Sequence, residues 1–191
     1  DHKITDLLYL CHAHTQYGVD CTPIFNMITS RYLEIRDELE LNLDLESEFA
    51  ALKKRLDKKR VTQDELVSRG EYFSAKLMAA YLGYNFVDAA DWVKFNMDGT
   101  VNTERSYELL QELYWIGNGI VTPGFYGVMP HGAIHTFSRG GSDITGSLAA
   151  AFLDIRLKKA LPAVTLGVIT AGCIMLALTH VGINLFSGAI A

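Results

Sequence analysis

The sequence is poor in the residues that mark disulfide-rich and nucleic-acid-binding proteins. Its three cysteines, Cys11, Cys21 and Cys173, are too few for a disulfide framework, which favours a reducing cytoplasm. Lys and Arg number 17 against 22 Asp and Glu, and the net charge of −5 offers no basic excess to a polyanion. We therefore expect no nucleic-acid partner. We also expect no metal site in the chain, because no second compact pair joins Cys11 and His14.

Charge is missing altogether from the end of the chain. Residues 160–191 contain no Asp, Glu, Lys or Arg. Within them, 160–179 is long and apolar enough to meet the length criterion for a membrane span, which would make a membrane-tethered protein. The favoured alternative is a soluble segment with a buried strand over 164–169, a helix over 171–179 and a second strand over 183–186.

The rest of the composition is that of an ordinary globular protein. Apolar residues make up 49% and charged residues 20% of the 191 positions. This length allows one sizeable core, or a domain with part of another. The chain begins Asp-His-Lys without an initiator Met or a signal peptide, so we expect it to be trimmed at its front.

Helical periodicity dominates the first half of the chain. The predicted helices are 5–17, 22–39, 46–58 and 71–82. Thr22 is the expected N-cap of the second, with Pro23 at its first position. Thr62 and Glu65 form a capping-box pattern.

Strands and helices alternate in the second half. The predicted strands are 86–89, 120–121 and 133–137, and the predicted helices are 102–113 and 143–153. Asp98-Gly99 predicts a tight turn after Val93 and Phe95. Such alternation is typical of an α/β sandwich with a largely parallel sheet.

One segment predicts ligand binding. Residues 138–145 read Ser-Arg-Gly-Gly-Ser-Asp-Ile-Thr, a strand end, a glycine turn and a helix start. Gly140 and Gly141 allow close backbone approach, the N–H groups of a helix start attract anions, and Arg139 can grip a carboxylate with two hydrogen bonds. Asp143 could orient a phosphate-bound metal or a substrate ammonium. The alternative is an ordinary tight turn capped by Asp143 or Ser142.

The same string resembles the Arg-Gly-Gly-Ser-Asp signature of aspartate kinases in the amino-acid kinase family. Residues 67–71, Val-Ser-Arg-Gly-Glu, resemble the second substrate motif of this family, a Ser-x-Gly-Glu turn that opens a helix. The segments 121–127 and 4–8 are similar to two further family motifs. The resemblance covers roughly residues 1–153 and implies a three-layer α/β/α sandwich.

It further implies transfer of phosphate from ATP with Mg²⁺ to the side-chain carboxylate of L-aspartate, in a cytoplasmic homo-oligomer with an amino-acid feedback effector. By the resemblance, Arg139 would hold the α-carboxylate and Glu71 would face the ammonium group. Thr5, Gly140, Gly141 and Ser142 would line the substrate pocket, and Asp143 would arrange the reacting groups as a catalytic residue.

Two family segments are missing from the sequence. The Lys-Phe-Gly-Gly strand and the Thr-Asp-Val-x-Gly segment of the nucleotide side do not occur. We therefore expect residues 1–159 to be a catalytic domain without its ATP side, inactive alone. Residues 160–191 resemble part of an ACT-like α+β regulatory module. The alternative function is a non-catalytic module that binds an amino acid.

Overall fold

The computed structural model describes residues 3–114, 119–137 and 141–152. In this part of the chain, helices outweigh short strands. The helices are α1 (Ile4–Gln16), α2 (Thr22–Glu38), α3 (Leu45–Asp57), α4 (Gln63–Leu82), α5 (Ala89–Trp92), α6 (Thr103–Tyr114) and α7 (Gly141–Phe152). The strands are β1 (Asn85–Phe86), β2 (Ile120–Val121), β3 (Tyr126–Val128) and β4 (Ile134–Thr136).

The predictions for α1 and α3 are confirmed to within one residue at each end. The predicted cap of α2 is wrong, because Thr22 is its first helical residue and Cys21 takes the N-cap position without a side-chain capping hydrogen bond. Asp20 supplies a hydrogen-bond acceptor at the start of the helix instead. Its carboxylate accepts from the Thr22 N–H at 2.9 Å. Pro23 follows within the first turn, where a missing N–H costs nothing.

Helix α4 is one continuous helix from Gln63 to Leu82, so the predicted turn at 68–71 is wrong. Thr62 caps it by accepting from the Glu65 N–H at 3.2 Å, as the capping pattern predicts. Gly83, in the left-handed conformation with φ of 68°, ends it. Gly70 does not break the helix because one internal glycine costs only about 1 kcal/mol, which tertiary packing offsets.

Helices α1 to α4 enclose the first hydrophobic core. Leu8, Leu45, Leu56 and Leu66 are at most 2% exposed there. An aromatic group of Tyr32, Phe49 and Phe73 lies at the junction of α2, α3 and α4. Together these contacts give α4 a fully buried face against the other helices.

The strands form two separate pairs. β1 and β2 are parallel, with Asn85 opposite Ile120, and β3 and β4 are antiparallel, with Gly127 opposite His135. A parallel bridge between Lys94 and Val128 extends β3 on its other side. Helices α5 and α6 lie between β1 and β2 in the chain. They form the crossover connection that a parallel pair needs, as the predicted α/β arrangement requires.

The second hydrophobic core packs around these strands, with Trp92 and Tyr126 fully buried in it. The predicted turn is confirmed: Phe95 and Val101 are bridged across Asp98-Gly99, and Gly99 has a φ of 82°. Asn102 caps α6 by accepting from the Arg105 N–H at 3.0 Å.

Helix α7 begins at Gly141, two residues before the predicted start at Asp143. Ser142 and Asp143 therefore lie inside its first turn instead of capping it. None of the helices in the described residues has both the length and the apolar character of a membrane span. The predictions for residues 160–191, both the membrane span and the ACT-like segment, concern a stretch outside the described residues.

Candidate functional site

Helix α4 presents the Ser-Arg-Gly-Glu motif with alternate sides buried and exposed. Ser68 is fully buried, and its hydroxyl donates to the Glu65 carbonyl at 2.8 Å. Glu71, three positions on, is exposed. The motif thus fixes its serine in the core while its carboxylate faces out from the helix.

At Gly70, residues of both α1 and α2 approach α4 closely. A Cβ at this position would lie 3.2 Å from Leu8 Cδ1. The buried hydroxyl of Tyr32 donates to the Gly70 carbonyl at 2.9 Å, and burial raises the pKa of Tyr32 to about 12. The neutral phenol therefore remains a donor at physiological pH. It ties α2 to the part of helix α4 that carries Glu71.

This close packing brings Thr5 and Glu71 to one cavity of about 250 Å³. Thr5 comes from the start of α1 and Glu71 from the middle of α4. Arg31 of α2 lines the same cavity, so a basic and an acidic residue line one space. The binding site for a zwitterionic amino acid needs residues of both charges. The sequence did not point to Arg31, because the aspartate kinase signature supplied only Arg139 as a cation.

Asp64 ties the start of α4 to β4. Its carboxylate accepts from the Thr136 N–H at 3.0 Å and is 3.1 Å from His135 Nδ1. Asp64 and Glu71 are seven positions apart and so lie on the same helix face, about 10 Å apart along the axis. The strand that leads into residues 138–140 is therefore anchored to the helix that carries Glu71.

The start of α7 is pressed against the bend before β3. A Cβ on Gly141 would lie 2.8 Å from Phe125 Cα and 2.8 Å from Phe137 Cβ, so only glycine fits there. Gly124 approaches Ser142 in the same way, with a would-be Cβ 2.9 Å from Ser142 Cα. Phe125 itself has a φ of 82°, a conformation that costs a bulky residue energy and is concentrated at functional sites.

Thr145 joins these two segments by hydrogen bonds. Its hydroxyl accepts from the Phe125 N–H at 3.3 Å and donates to the Gly141 carbonyl at 2.8 Å. Thr145 is only 3% exposed. Its hydroxyl thereby fixes the first turn of α7, which carries Ser142 and Asp143, on the bend that contains Phe125.

A second polar cluster, formed by Arg69, Tyr72, Asp88 and Tyr126, also connects α4 with β3. The Tyr126 hydroxyl donates to Asp88 at 2.6 Å, and burial together with the Asp88 charge raises the pKa of Tyr126. The guanidinium of Arg69 stacks over the rings of Tyr72 and Tyr126, at 4.4 and 5.5 Å from their centroids. Arg69 thereby links α4 to β3.

The predicted site residues fall into three groups. Thr5 and Glu71 share a cavity, and Gly141, Ser142 and Asp143 are consecutive at the start of α7, with the last two exposed. Arg139 and Gly140 lie outside the described residues. Within the part of the chain that is described, no group of three or more His, Cys, Asp or Glu side chains could hold a metal ion.

The sequence matches the amino acid kinase family over residues 27–158, and the chain belongs to that family. Within it, the chain is similar to aspartokinases. Aspartokinase 3 of Bacillus subtilis (strain 168) is 31% identical over 163 residues, which is 78% of this chain and 36% of the relative. The crystal structure of Clostridium acetobutylicum aspartate kinase is 41% identical, with a TM-score of 0.76 over 81% of this chain and 35% of that chain.

A more distant likeness concerns the fold alone. Escherichia coli aspartokinase III in complex with aspartate and ADP is 24% identical, with a TM-score of 0.66 over 80% of this chain and 38% of that chain. The fold is thus the α/β fold of amino acid kinases, and the family resemblance drawn from the sequence is confirmed. The chain spans little more than a third of the length of these relatives.

Proposed function

We propose that this chain forms the aspartate-binding side of an aspartate kinase, an enzyme that transfers the γ-phosphoryl group of ATP to the side-chain carboxylate of L-aspartate. The observation that carries the proposal is the cavity shared by Thr5, Glu71 and Arg31. The 41% identity to the Clostridium acetobutylicum aspartate kinase supports the same substrate.

The charges of aspartate explain the proposed roles. Its ammonium group is placed against Glu71, and its α-carboxylate against Arg139, whose planar guanidinium suits two parallel hydrogen bonds. Thr5 and Ser142 supply neutral hydroxyls, and the backbone N–H groups of Gly140 and Gly141 add donors at a helix start. Asp143 orients the reacting groups.

In the proposed reaction, an oxygen of the side-chain carboxylate attacks the γ-phosphorus of ATP. The bond from that phosphorus to the bridging oxygen breaks, aspartyl phosphate forms and ADP leaves, with no net proton transfer. The magnesium ion arrives with the nucleotide as part of the substrate. Positioning and charge neutralisation do most of the work in such a transfer, so the residues of this chain act by holding aspartate in line.

The test is an assay of a full-length protein that contains this chain. We expect ATP-dependent aspartyl phosphate, trapped as the hydroxamate, with aspartate and none with glutamate, whose longer side chain misplaces the carboxylate. Saturable aspartate binding without any turnover would instead establish the non-catalytic binding module. Absence of both binding and turnover would contradict the substrate assignment itself.

A further inference from the structure

A second cavity, of about 490 Å³, lies away from the proposed aspartate site. It opens between the 94–95 segment, the start of α6 and the β3–β4 turn. Its polar lining comes from Lys94, Asn102 and Arg105, and its apolar lining includes Phe95, Val128 and Met129. Two cations and no acidic side chain stand among the described residues that line it, in a chain whose net charge is −5.

Lys94 is held in the wall of this cavity. Its ammonium group donates to the Ala90 carbonyl at 2.6 Å, and the side chain is half-buried. Burial lowers the pKa of Lys94 below its usual value; Asp91 and, more weakly, Asp88 oppose this effect, and the charge of Arg105 adds to it. Burial of an ammonium group costs desolvation free energy, which an anion in the cavity would offset.

The backbone around Lys94 is fixed on both sides. Its N–H donates to the Ser106 hydroxyl at 3.0 Å, and its carbonyl accepts from the Asn102 N–H at 2.8 Å. The bridge to Val128 holds it against β3. This wall of the cavity is therefore held by hydrogen bonds of the Lys94 main chain, and binding sites for small molecules are usually preformed in this way.

Arg105 is the more adaptable of the two cations. Its guanidinium pairs with Glu108 at 2.8 Å, and both side chains are 55% exposed. An exposed pair of this kind is worth little, so the guanidinium can turn to a ligand at small cost. Asn102 uses its side-chain oxygen to cap α6, which leaves its amide group as a further donor at the cavity.

We propose that this cavity binds a small molecule with one carboxylate or phosphate group and an apolar body. The anionic group lies between Lys94 and Arg105, and the body packs on Phe95, Val128 and Met129. The proposal does not depend on the aspartate site, because none of these residues lines the cavity of Thr5 and Glu71.

The experiment is a titration of the full ¹⁵N-labelled chain, followed by NMR shifts of Lys94, Val128 and Gly132. Phenyl phosphate and phenylacetate are the two anionic probes, and benzyl alcohol is the neutral control. We expect saturable shifts with a millimolar Kd for at least one anion, weakening as salt is added. The preferred anion identifies the ligand as a phosphate or a carboxylate. No saturation with either, or equal binding of benzyl alcohol, overturns the proposal.

Variants locate the binding. Arg105→Gln, on the exposed face of α6, should weaken the anion about tenfold through loss of a charge-assisted hydrogen bond. Lys94→Gln should do the same, and Lys94→Arg should retain binding. Lys54→Gln, which removes an exposed cation from α3, is the matched control and should leave Kd unchanged. Unaltered affinity in Arg105→Gln and Lys94→Gln would overturn the assignment.

Discussion

Glu71 stands exposed on α4 while its neighbours in the motif are packed against other helices. Ser68 is buried, and Gly70 is in contact with Leu8 and Tyr32. A change of the Glu71 side chain should therefore affect the cavity and leave the core intact. The same separation makes residue-scale tests of the proposed aspartate site possible without loss of the fold.

Glu71→Gln keeps the shape of the side chain and removes its charge. In an active full-length protein we expect kcat/KM for aspartate to fall about ten- to a hundred-fold, because a charge-assisted hydrogen bond is worth roughly 1.5–3 kcal/mol. Thermal stability should stay unchanged, as should the kinetics of the control Glu112→Gln on the exposed face of α6. A drop in stability with normal kinetics would make Glu71 a structural residue.

Arg139 is the proposed clamp for the α-carboxylate. Arg139→Ala should raise the aspartate KM roughly ten- to a hundred-fold through loss of charge-assisted bonds. Arg139→Lys should recover only part of the affinity, since a point charge does not replace the planar fork. Steady-state kinetics with aspartate varied measures both variants, and an unchanged KM for Arg139→Ala contradicts the assignment.

Gly141 and Gly146 offer a matched pair in α7. A methyl group on Gly141 meets the Phe125 backbone, so Gly141→Ala should lower the free energy of unfolding by about 1–3 kcal/mol. Nothing lies within 4 Å of a Cβ on Gly146, and Gly146→Ala should raise it by up to about 1 kcal/mol through helix propensity. Urea unfolding of both variants checks the prediction, and equal effects would contradict the tight contact.

At the scale of elements, the sequence predicts a helix well where a clear capping residue marks one end of an apolar stripe. Thr62 was a recognisable cap, because it is a short polar side chain placed before an apolar run. The predicted break in α4 was wrong because the motif around Gly70 looks like a turn in isolation. The packing of α1 and α2 against Gly70 offsets the helix cost of the glycine, and such long-range contacts leave no local signal.

The residues proposed for the site differ in how far the sequence points to them. Glu71 and Gly141 follow from motif spelling, whereas Arg31 and Asp64 required the arrangement of helices in space. Arg31 carries no sequence signal, since its neighbours are ordinary residues of an amphipathic helix. From the sequence, Asp64 looks like an ordinary acidic residue in the first turn of a helix. Its hydrogen bonds to β4 join residues more than seventy positions apart in the chain.

The caps of α3 and α4 differ in their response to pH. The Ser47 hydroxyl and N–H hold the pKa of the Asp44 cap below its usual value. Its contribution to stability is therefore present above about pH 3.9, the unfolded value, and is lost as the pH falls through the folded pKa. Asp44→Ala should destabilise the protein at pH 7 and have no effect at strongly acidic pH.

Thr62→Ala on α4 serves as the comparison, because a hydroxyl does not titrate. It should cost about 1 kcal/mol at neutral and at acidic pH alike. Urea unfolding at several pH values separates the two variants. Parallel pH profiles for Asp44→Ala and Thr62→Ala would show that the Asp44 carboxylate has the same pKa in the folded and unfolded chains.

For the whole molecule, the two ligands of the proposed reaction depend on different parts of the family's sequence. Residues 1–191 hold both substrate-side motifs and lack the Lys-Phe-Gly-Gly and Thr-Asp-Val-x-Gly segments. A protein made of these residues alone should form no aspartyl phosphate above background, because catalysis by positioning fails when one partner is not held. The hydroxamate assay measures this, and activity in this chain would show that the nucleotide is held by other residues.

The glycine contacts also define how this protein tolerates substitution. At positions 124, 127 and 141, a Cβ would fall within 3 Å of backbone atoms of Ser142, Val93 and Phe125, respectively. At Gly83, by contrast, the surrounding space is empty and only the left-handed φ of 68° constrains the choice. A saturation library selected for folding should therefore keep glycine alone at the first three positions and admit asparagine or aspartate at position 83. Substrate preference can therefore be engineered by varying side chains along α4. Where Phe125 packs against the start of α7, almost no position can be varied.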